Sequence, residues 1–273
     1  MRRLRNLLKR SVREVMNKSP LILKKSVDLR EGVKAMYSNS ISHLLVEFGD
    51  RSFGIVSEKD VIFRLVSRSA WRVNVSSLHL SSVSSQPVIT IPSDAEIEEA
   101  VRVMLREGIG LLPVISEGRI VGVLTKQDIL ASLISEDVPM ETEMVINRRP
   151  LSSGPQERLI NYLVLLSKNR LSSIPILEHV KFLGLVTDLD AMYALYRVYE
   201  LVPWELRRER VTRIIMRDVM RHTFEVIGPD VTISDVCEKF SKGAKAILLI
   251  QNQEFNGLIA KSDILEYLLS KVG

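Results

Sequence analysis

Apolar residues along the chain fall into two alternating patterns. Short dense runs such as LLPVIS (111–116) and AILLIQ (246–251) are followed by a polar or glycine-bearing turn and a second apolar run, a sequence that predicts a β-hairpin. Upstream of each hairpin the spacing changes to the helical one. Ile97, Ala100, Val101, Met104 and Leu105 stand at i, i+3, i+4, i+7 and i+8, and Ile233, Val236, Cys237 and Phe240 repeat the same stripe. Leu29, Val33 and Met36, and Leu159, Leu163 and Leu166, begin two more. A second helical pattern follows each hairpin, as in KQDILASLISE and KSDILEYLLSKV. Each unit therefore reads strand, helix, strand, strand, helix, and the chain contains it four times.

Each hairpin ends in a recognisable heptapeptide. These are GIVSEKD at 54–60, GVLTKQD at 122–128, GLVTDLD at 184–190 and GLIAKSD at 257–263. A hydroxyl residue followed three positions later by an acid, ahead of an apolar helix, resembles a capping box. Ser57, Thr125 and Thr187 are the expected N-caps, with Asp60, Asp128 and Asp190 in the first turn, where the helix dipole favours a negative charge. The same geometry suits a phosphoribosyl group. A helix N-terminus offers N–H donors and a positive dipole end to phosphate, the hydroxyl adds a hydrogen bond, and a carboxylate one turn on accepts from the two hydroxyls of a ribose. The leading glycine is expected to let the strand end approach such a ligand closely. Both readings, cap and ligand site, stay open on these residues. The fourth copy has Ala260 in place of the hydroxyl and keeps Asp263, so it is expected to be the weakest position or an empty one.

Composition narrows the function classes. The chain has 273 residues, 46% hydrophobic and 26% charged, enough for two packed domains or an array of repeats. Cys237 is the only cysteine, which excludes an internal disulfide framework; its place in an apolar stripe makes it a core residue. No apolar run approaches the roughly 20 residues of a membrane span, and charges interrupt the basic N-terminus before a signal-peptide core develops, so the expectation is a cytoplasmic protein without a membrane partner. The net charge of +5 comes largely from residues 2–13, Arg148–Arg149 and 207–217, which read as solvated faces or, alternatively, as a nucleic-acid contact; aromatic residues at 5% give no base-stacking platform. Four scattered histidines and the lack of a nucleophile elbow or phosphate-binding glycine loop leave no catalytic reading and call for no catalytic cofactor.

The order of elements, the lead-ins VREVM (12–16) and MRDVM (216–220), the LPV and IPI strands and the closing heptapeptides together resemble the CBS (cystathionine β-synthase) domain family over essentially residues 11–270. The fold class this resemblance implies is α/β (α+β), with four CBS repeats paired about pseudo-twofold axes into two Bateman modules, as in the γ subunit of AMP-activated protein kinase. The modules expected are 1–138, holding repeats at about 11–68 and 79–136, and 139–273, holding repeats at about 143–198 and 215–270. The implied function is a non-catalytic regulatory sensor of adenine nucleotides, AMP, ADP or ATP, with S-adenosylmethionine as a further candidate, the Asp taking ribose and the Ser or Thr taking phosphate. Carried over by position, Ser57 and Asp60 are expected to face Ile109–Gly110. Thr125 and Asp128 are expected to face Ser42–His43, Thr187 and Asp190 to face Ala244–Lys245, and Asp263 to face Ser172–Ser173. His43 and Lys245 are then phosphate-side cations. Protein partners consistent with the family are a regulated enzyme or transporter, for which the chain could be a ligand-free scaffold, and a second copy of the chain.

Overall fold

The structure is a computed structural model and describes residues 2–49, 52–67, 69–135, 138–168, 171–179, 181–228, 230–251 and 254–271. A short helix α1 (Arg2–Leu8) precedes the repeats. Repeat one comprises β1 (Ile22–Lys24), α2 (Leu29–Ser38), β2 (His43–Gly49), β3 (Ser52–Ser57) and α3 (Glu58–Val66). Repeat two comprises β4 (Ile91–Pro92), α4 (Ile97–Glu107), β5 (Leu111–Ser116), β6 (Arg119–Thr125) and α5 (Lys126–Ala131). After α6 (Thr142–Val145), repeat three has α7 (Leu159–Lys168), β7 (Ser173–Glu178), β8 (Lys181–Thr187) and α8 (Asp188–Leu201). Then α9 (Trp204–Arg213) leads to repeat four: β9 (Glu225–Ile227), α10 (Ile233–Ser241), β10 (Ala246–Gln251), β11 (Glu254–Ala260) and α11 (Lys261–Ser270).

In repeats one, two and four the first strand pairs parallel with the second and the hairpin is antiparallel, the mixed three-stranded sheet that the pattern predicts. Repeat three departs from it. Its sheet has two strands, and the expected first strand is reduced to a single parallel bridge between Ser153 and Ile176. Pro150, Gly154 and Pro155 crowd that segment, and proline removes a ladder donor.

The compact units do not follow the expected halves 1–138 and 139–273. One unit is 1–20, 89–150 and 223–273; the other is 21–88 and 151–222. Repeats two and four thus share one core, and repeats one and three share the other. The cause is helix packing. In the first unit α5 packs on α10 and α11, and α4 on α11, burying Val101, Met104, Ile129, Phe240 and Ile264. In the second, α3 and α2 pack on α8, burying Val33, Met36, Val61, Leu65, Met192 and Tyr196. Hydrophobic periodicity shows that each helix has a buried face but not which helix covers it.

The boundaries of the units fall between each lead-in and its repeat, because the lead-ins are exchanged. Asn17, in the lead-in of repeat one, forms a doubly hydrogen-bonded bridge with Val123 in β6 of repeat two, 2.9 Å in each direction. Ser85, ahead of repeat two, bridges Ile55 in repeat one. Asn147 bridges Leu258, and Arg221 bridges Leu185, giving the same reciprocal exchange between repeats three and four.

Parts of the basic segments are structural. Helix α1 buries Leu4, Leu7 and Leu8 in the first core, while Lys9 and Arg10 pair with Glu96 and Glu14. Arg207 is buried in the second unit, donating to the carbonyls of Val202, Val73 and Tyr199 at 3.1, 2.8 and 3.0 Å, with its guanidinium 4.9 Å from the Tyr199 ring centroid. Trp71 packs on that core; Trp204 is largely exposed, against Arg72. Among the described residues no helix is long and apolar enough to cross a membrane.

Candidate functional site

All four heptapeptides are placed as strand end and helix start. Ser57, Thr125 and Thr187 are N-caps with extended backbone, and in each the hydroxyl accepts from the N–H of the Asp three residues on, at 3.3, 3.2 and 3.3 Å. One carboxylate oxygen, Oδ2, returns two bonds. It accepts from the cap N–H (2.7 Å at Ser57 and Thr125, 3.0 Å at Thr187) and from the cap hydroxyl (2.5, 2.6 and 2.6 Å). In repeat four Ala260 retains only the N–H bond to Asp263, 2.7 Å. A further helical N–H is satisfied by the turn ahead of the same repeat's hairpin: Glu58, Lys126 and Asp188 donate to the carbonyls of Ser42, Gly110 and Ser172 at 3.1, 3.3 and 3.1 Å. The helix ends therefore have fewer donors to offer a phosphate than the bare sequence suggests.

The cap is not in itself a mark of a ligand. Thr232 and Asp235 build the same box at the start of α10, outside the heptapeptides. The two settings differ in burial. Backbone and hydroxyl bonds from Thr232 pull the exposed Asp235 carboxyl below its ordinary value. Burial pushes the Asp128 carboxyl up, opposed by the Thr125 bonds and by Lys261. Burial pushes Asp263 further, to about 6, opposed by the Ala260 N–H and Lys126 and reinforced by Glu266.

The heptapeptide glycines have a role other than ligand approach. A Cβ on Gly122 would lie 2.6 Å from the Asn17 carbonyl oxygen, and one on Gly184 would lie 2.7 Å from that of Arg221. The close approach is made by the exchanged lead-in, which crosses the strand at that residue, and this corrects the expectation of a ligand there.

The second oxygen of each aspartate separates the four copies. Among the described residues no hydrogen bond reaches Oδ1 of Asp60, Asp128 or Asp263. Asp190 is different: Arg221 Nη2 donates to its Oδ1 at 2.6 Å and Nε to its Oδ2 at 2.9 Å. The residue after the hydroxyl separates the units. In the first it is Lys126 or Lys261. Lys126 Nζ lies 2.7 Å from Ser262 Oγ, and Lys261 Nζ lies 2.9 Å from Gln127 Oε1, so each of the two helices brings an ammonium to the first turn of the other. In the second unit the same position holds Glu58 and Asp188, both buried, with Lys59 Nζ 3.9 Å from Asp188. Beside Asp60 a cavity of about 310 Å³ is lined by Phe63, Arg64, Ser67, Ser69, Ser82 and Val83.

Of the expected phosphate-side cations, His43 is half-buried and is the strand partner of Ser57 in its own repeat. Lys245 is half-buried and immediately precedes Ala246, the strand partner of Ala260. Ile109 and Gly110 form the turn that caps α5, and belong to the unit of Thr125 and Asp128. The structure thus brings each of these residues to the heptapeptide of its own repeat. Arg148 is exposed and paired with Glu143. Arg221, Lys126 and Lys261 were missed in the sequence. The lysines stand inside the heptapeptide and could have been singled out by position; Arg221 lies more than 30 residues from Asp190, and only the lead-in exchange reveals it. Among the described residues no group of three or more His, Cys, Asp or Glu is placed to hold a metal ion.

Comparison with known proteins agrees with the repeat pattern. The CBS domain family model matches residues 12–67, 80–135 and 216–270, leaving out the irregular third repeat. The fold matches the crystal structure of MJ1225 from Methanocaldococcus jannaschii, described as a proposed archaeal homologue of γ-AMPK, with a TM-score of 0.80 at 18% identity, covering 94% of this chain and 99% of that one. A conserved protein from Pyrococcus horikoshii matches with a TM-score of 0.61 at 19% identity, over 94% and 99% of the two chains. By sequence, an uncharacterized protein of Methanopyrus kandleri is 37% identical over 90 residues, 33% of this chain and 44% of that protein. The chain thus spans less than half the length of that relative.

Proposed function

The chain belongs to the CBS domain family, and on that premise we propose that it is a regulatory sensor that binds adenine nucleotides through its heptapeptides. It is a CBS-domain regulatory protein with the fold of a proposed γ-AMPK homologue. The ligand assignment rests on one observation: at Asp60, Asp128 and Asp263 one carboxylate oxygen is pinned by the cap while the other has no hydrogen bond among the described residues. A carboxylate held in this way is pre-organised to accept from a ribose hydroxyl without losing its structural role. The lysines beside the caps of the first unit supply positive charge for phosphate, and Lys126 gives Asp263 a cation in a repeat that lacks the hydroxyl. In the second unit Glu58 and Asp188 oppose phosphate, so the Asp128 position is the preferred site for AMP, ADP or ATP.

The test is a thermal-shift titration with AMP, ADP, ATP and S-adenosylmethionine, followed by calorimetry on Asp128→Ala. A bound ligand raises the melting temperature by linkage. Loss of a charge-assisted hydrogen bond, about 1.5–3 kcal/mol, weakens binding about 10- to 100-fold. No thermal shift with any of the four, or unchanged affinity in Asp128→Ala, refutes the assignment. A ligand-free scaffold is the second reading, favoured by the Thr232–Asp235 box, which builds the same cap outside the heptapeptides. It predicts that Asp→Asn changes at 60 and 128 leave regulation of the partner intact.

A further inference from the structure

Asp190 is the one heptapeptide carboxylate with both oxygens engaged from outside its own cap. Arg221 Nη2 to Oδ1 is 2.6 Å and Nε to Oδ2 is 2.9 Å, a bidentate, charge-assisted pair; the same Nη2 lies 3.5 Å from the Thr187 hydroxyl. The Asp190 side chain is 13% exposed. The pair is built from the backbone up. Arg221 N–H donates to the Leu185 carbonyl at 2.9 Å, and Leu185 N–H donates to the Arg221 carbonyl at 3.1 Å. The bridge fixes the arginine beside Gly184 and directs its side chain along β8 to the start of α8.

The other three lead-ins carry a short polar residue at the equivalent bridge: Asn17 opposite Val123, Ser85 opposite Ile55 and Asn147 opposite Leu258. The two asparagines turn back on their own chain, accepting from the N–H groups of Ser19 and Arg149. The side chain at this one bridge position therefore separates the closed heptapeptide from the three open ones.

We propose that Arg221 determines occupancy of the third position: its guanidinium is a built-in occupant of the carboxylate and hydroxyl that elsewhere receive a nucleotide, and this position takes none until the arginine is displaced. The inference rests on the reading above, in which the aspartates accept from ribose. A ribose offers neutral O–H donors, whereas the guanidinium offers two charged N–H donors in a planar fork matched to the carboxylate. It is also tethered, so a free ligand competes against an intramolecular contact of high effective concentration. Glu58, buried in the same unit, adds an attractive charge on Arg221.

The experiment is isothermal titration of the full chain and of Arg221→Asn with AMP and with adenosine, Asn being the residue that two other lead-ins accept at this place. The variant is expected to bind one additional equivalent of adenosine, and of AMP more weakly because Glu58 and Asp188 oppose its phosphate, with the affinities of the remaining sites unchanged. Asp190→Ala in the Arg221→Asn background is expected to abolish the added equivalent. Equal stoichiometry in the two chains, where the parent binds, overturns the latch and leaves the nucleotide reading standing; no binding by either chain overturns that reading and the latch with it. Should Arg221→Asn fail to unfold cooperatively, Arg221→Lys replaces it. Lysine keeps the charge but lacks the planar fork, so the added equivalent of adenosine is expected to appear with a weaker affinity than in Arg221→Asn; its absence overturns the proposal.

Discussion

Changing Asp263 to Asn should make the protein more stable at neutral pH and no more stable in acid. In repeat four the carboxylate is buried, and Ala260 withholds the hydroxyl bond that Thr125 gives Asp128. Its pKa is pushed from the ordinary 3.8 to about 6. That difference, about two pH units at 1.36 kcal/mol each, amounts to about 3 kcal/mol. Because the folded form binds the proton more tightly than the unfolded form, the favourable contribution is fully present below about pH 4. It is lost as pH rises through about 6, so a carboxylate at pH 7.5 carries the whole cost. Asparagine cannot ionise and still accepts from the Ala260 N–H. What it forfeits is a first-turn negative charge, about 0.3–1 kcal/mol. The net expectation is a gain of about 2 kcal/mol at pH 7.5 that disappears by pH 4. Urea unfolding of parent and variant at pH 4, 5, 6 and 7.5, compared at equal m-value, measures it. Equal stability at pH 7.5, or a gain that does not change with pH, refutes the argument. Ala260→Thr approaches the same carboxylate from the other side. Restoring the hydroxyl should add about 1 kcal/mol as an N-cap and move the inflection below pH 6.

Three further outcomes test other parts of the structure. Gly122→Ala forces a methyl to within 2.6 Å of the Asn17 carbonyl, and is expected to cost about 1–3 kcal/mol in chemical denaturation, whether or not nucleotide is present. Arg207→Ala leaves the Tyr199 and Val202 carbonyls at the α8–α9 corner and that of Val73 without their donor, and should lower stability by about 3 kcal/mol or more; loss of RNA or DNA binding without loss of stability would instead assign Arg207 to a nucleic-acid surface. Thr125→Ala and Thr232→Ala remove the same kind of cap and should each cost about 1 kcal/mol, but only Thr125→Ala should also weaken AMP in calorimetry; equal effects on AMP would show the heptapeptide to be a cap alone.

Much of the architecture was determined by sequence alone. The alternation of strand-like runs and helical stripes located the helices and hairpins of four repeats, because side-chain periodicity is a property of each element by itself. The caps at Ser57, Thr125 and Thr187 were equally legible, since their partners lie three residues away. Cys237 fell in the core for the same local reason. The third repeat's missing strand was less visible, hidden in the run SSGP.

Only the tertiary structure decided which repeats share a core, what the glycines accommodate and which aspartate is taken. Each of these depends on a partner far along the chain. An apolar stripe on α3 fits many apolar faces, and its choice of α8 is a matter of shape and connection that periodicity does not encode. The glycines looked like room for a ligand until the lead-ins were seen to cross them. Arg221 lies outside the basic runs and drew no reading; a doubly bonded bridge to Leu185 turns it toward Asp190, where it makes a bidentate pair. A sequence lists the groups able to bind one another, but only the fold sets the distances at which charge and hydrogen bonding act.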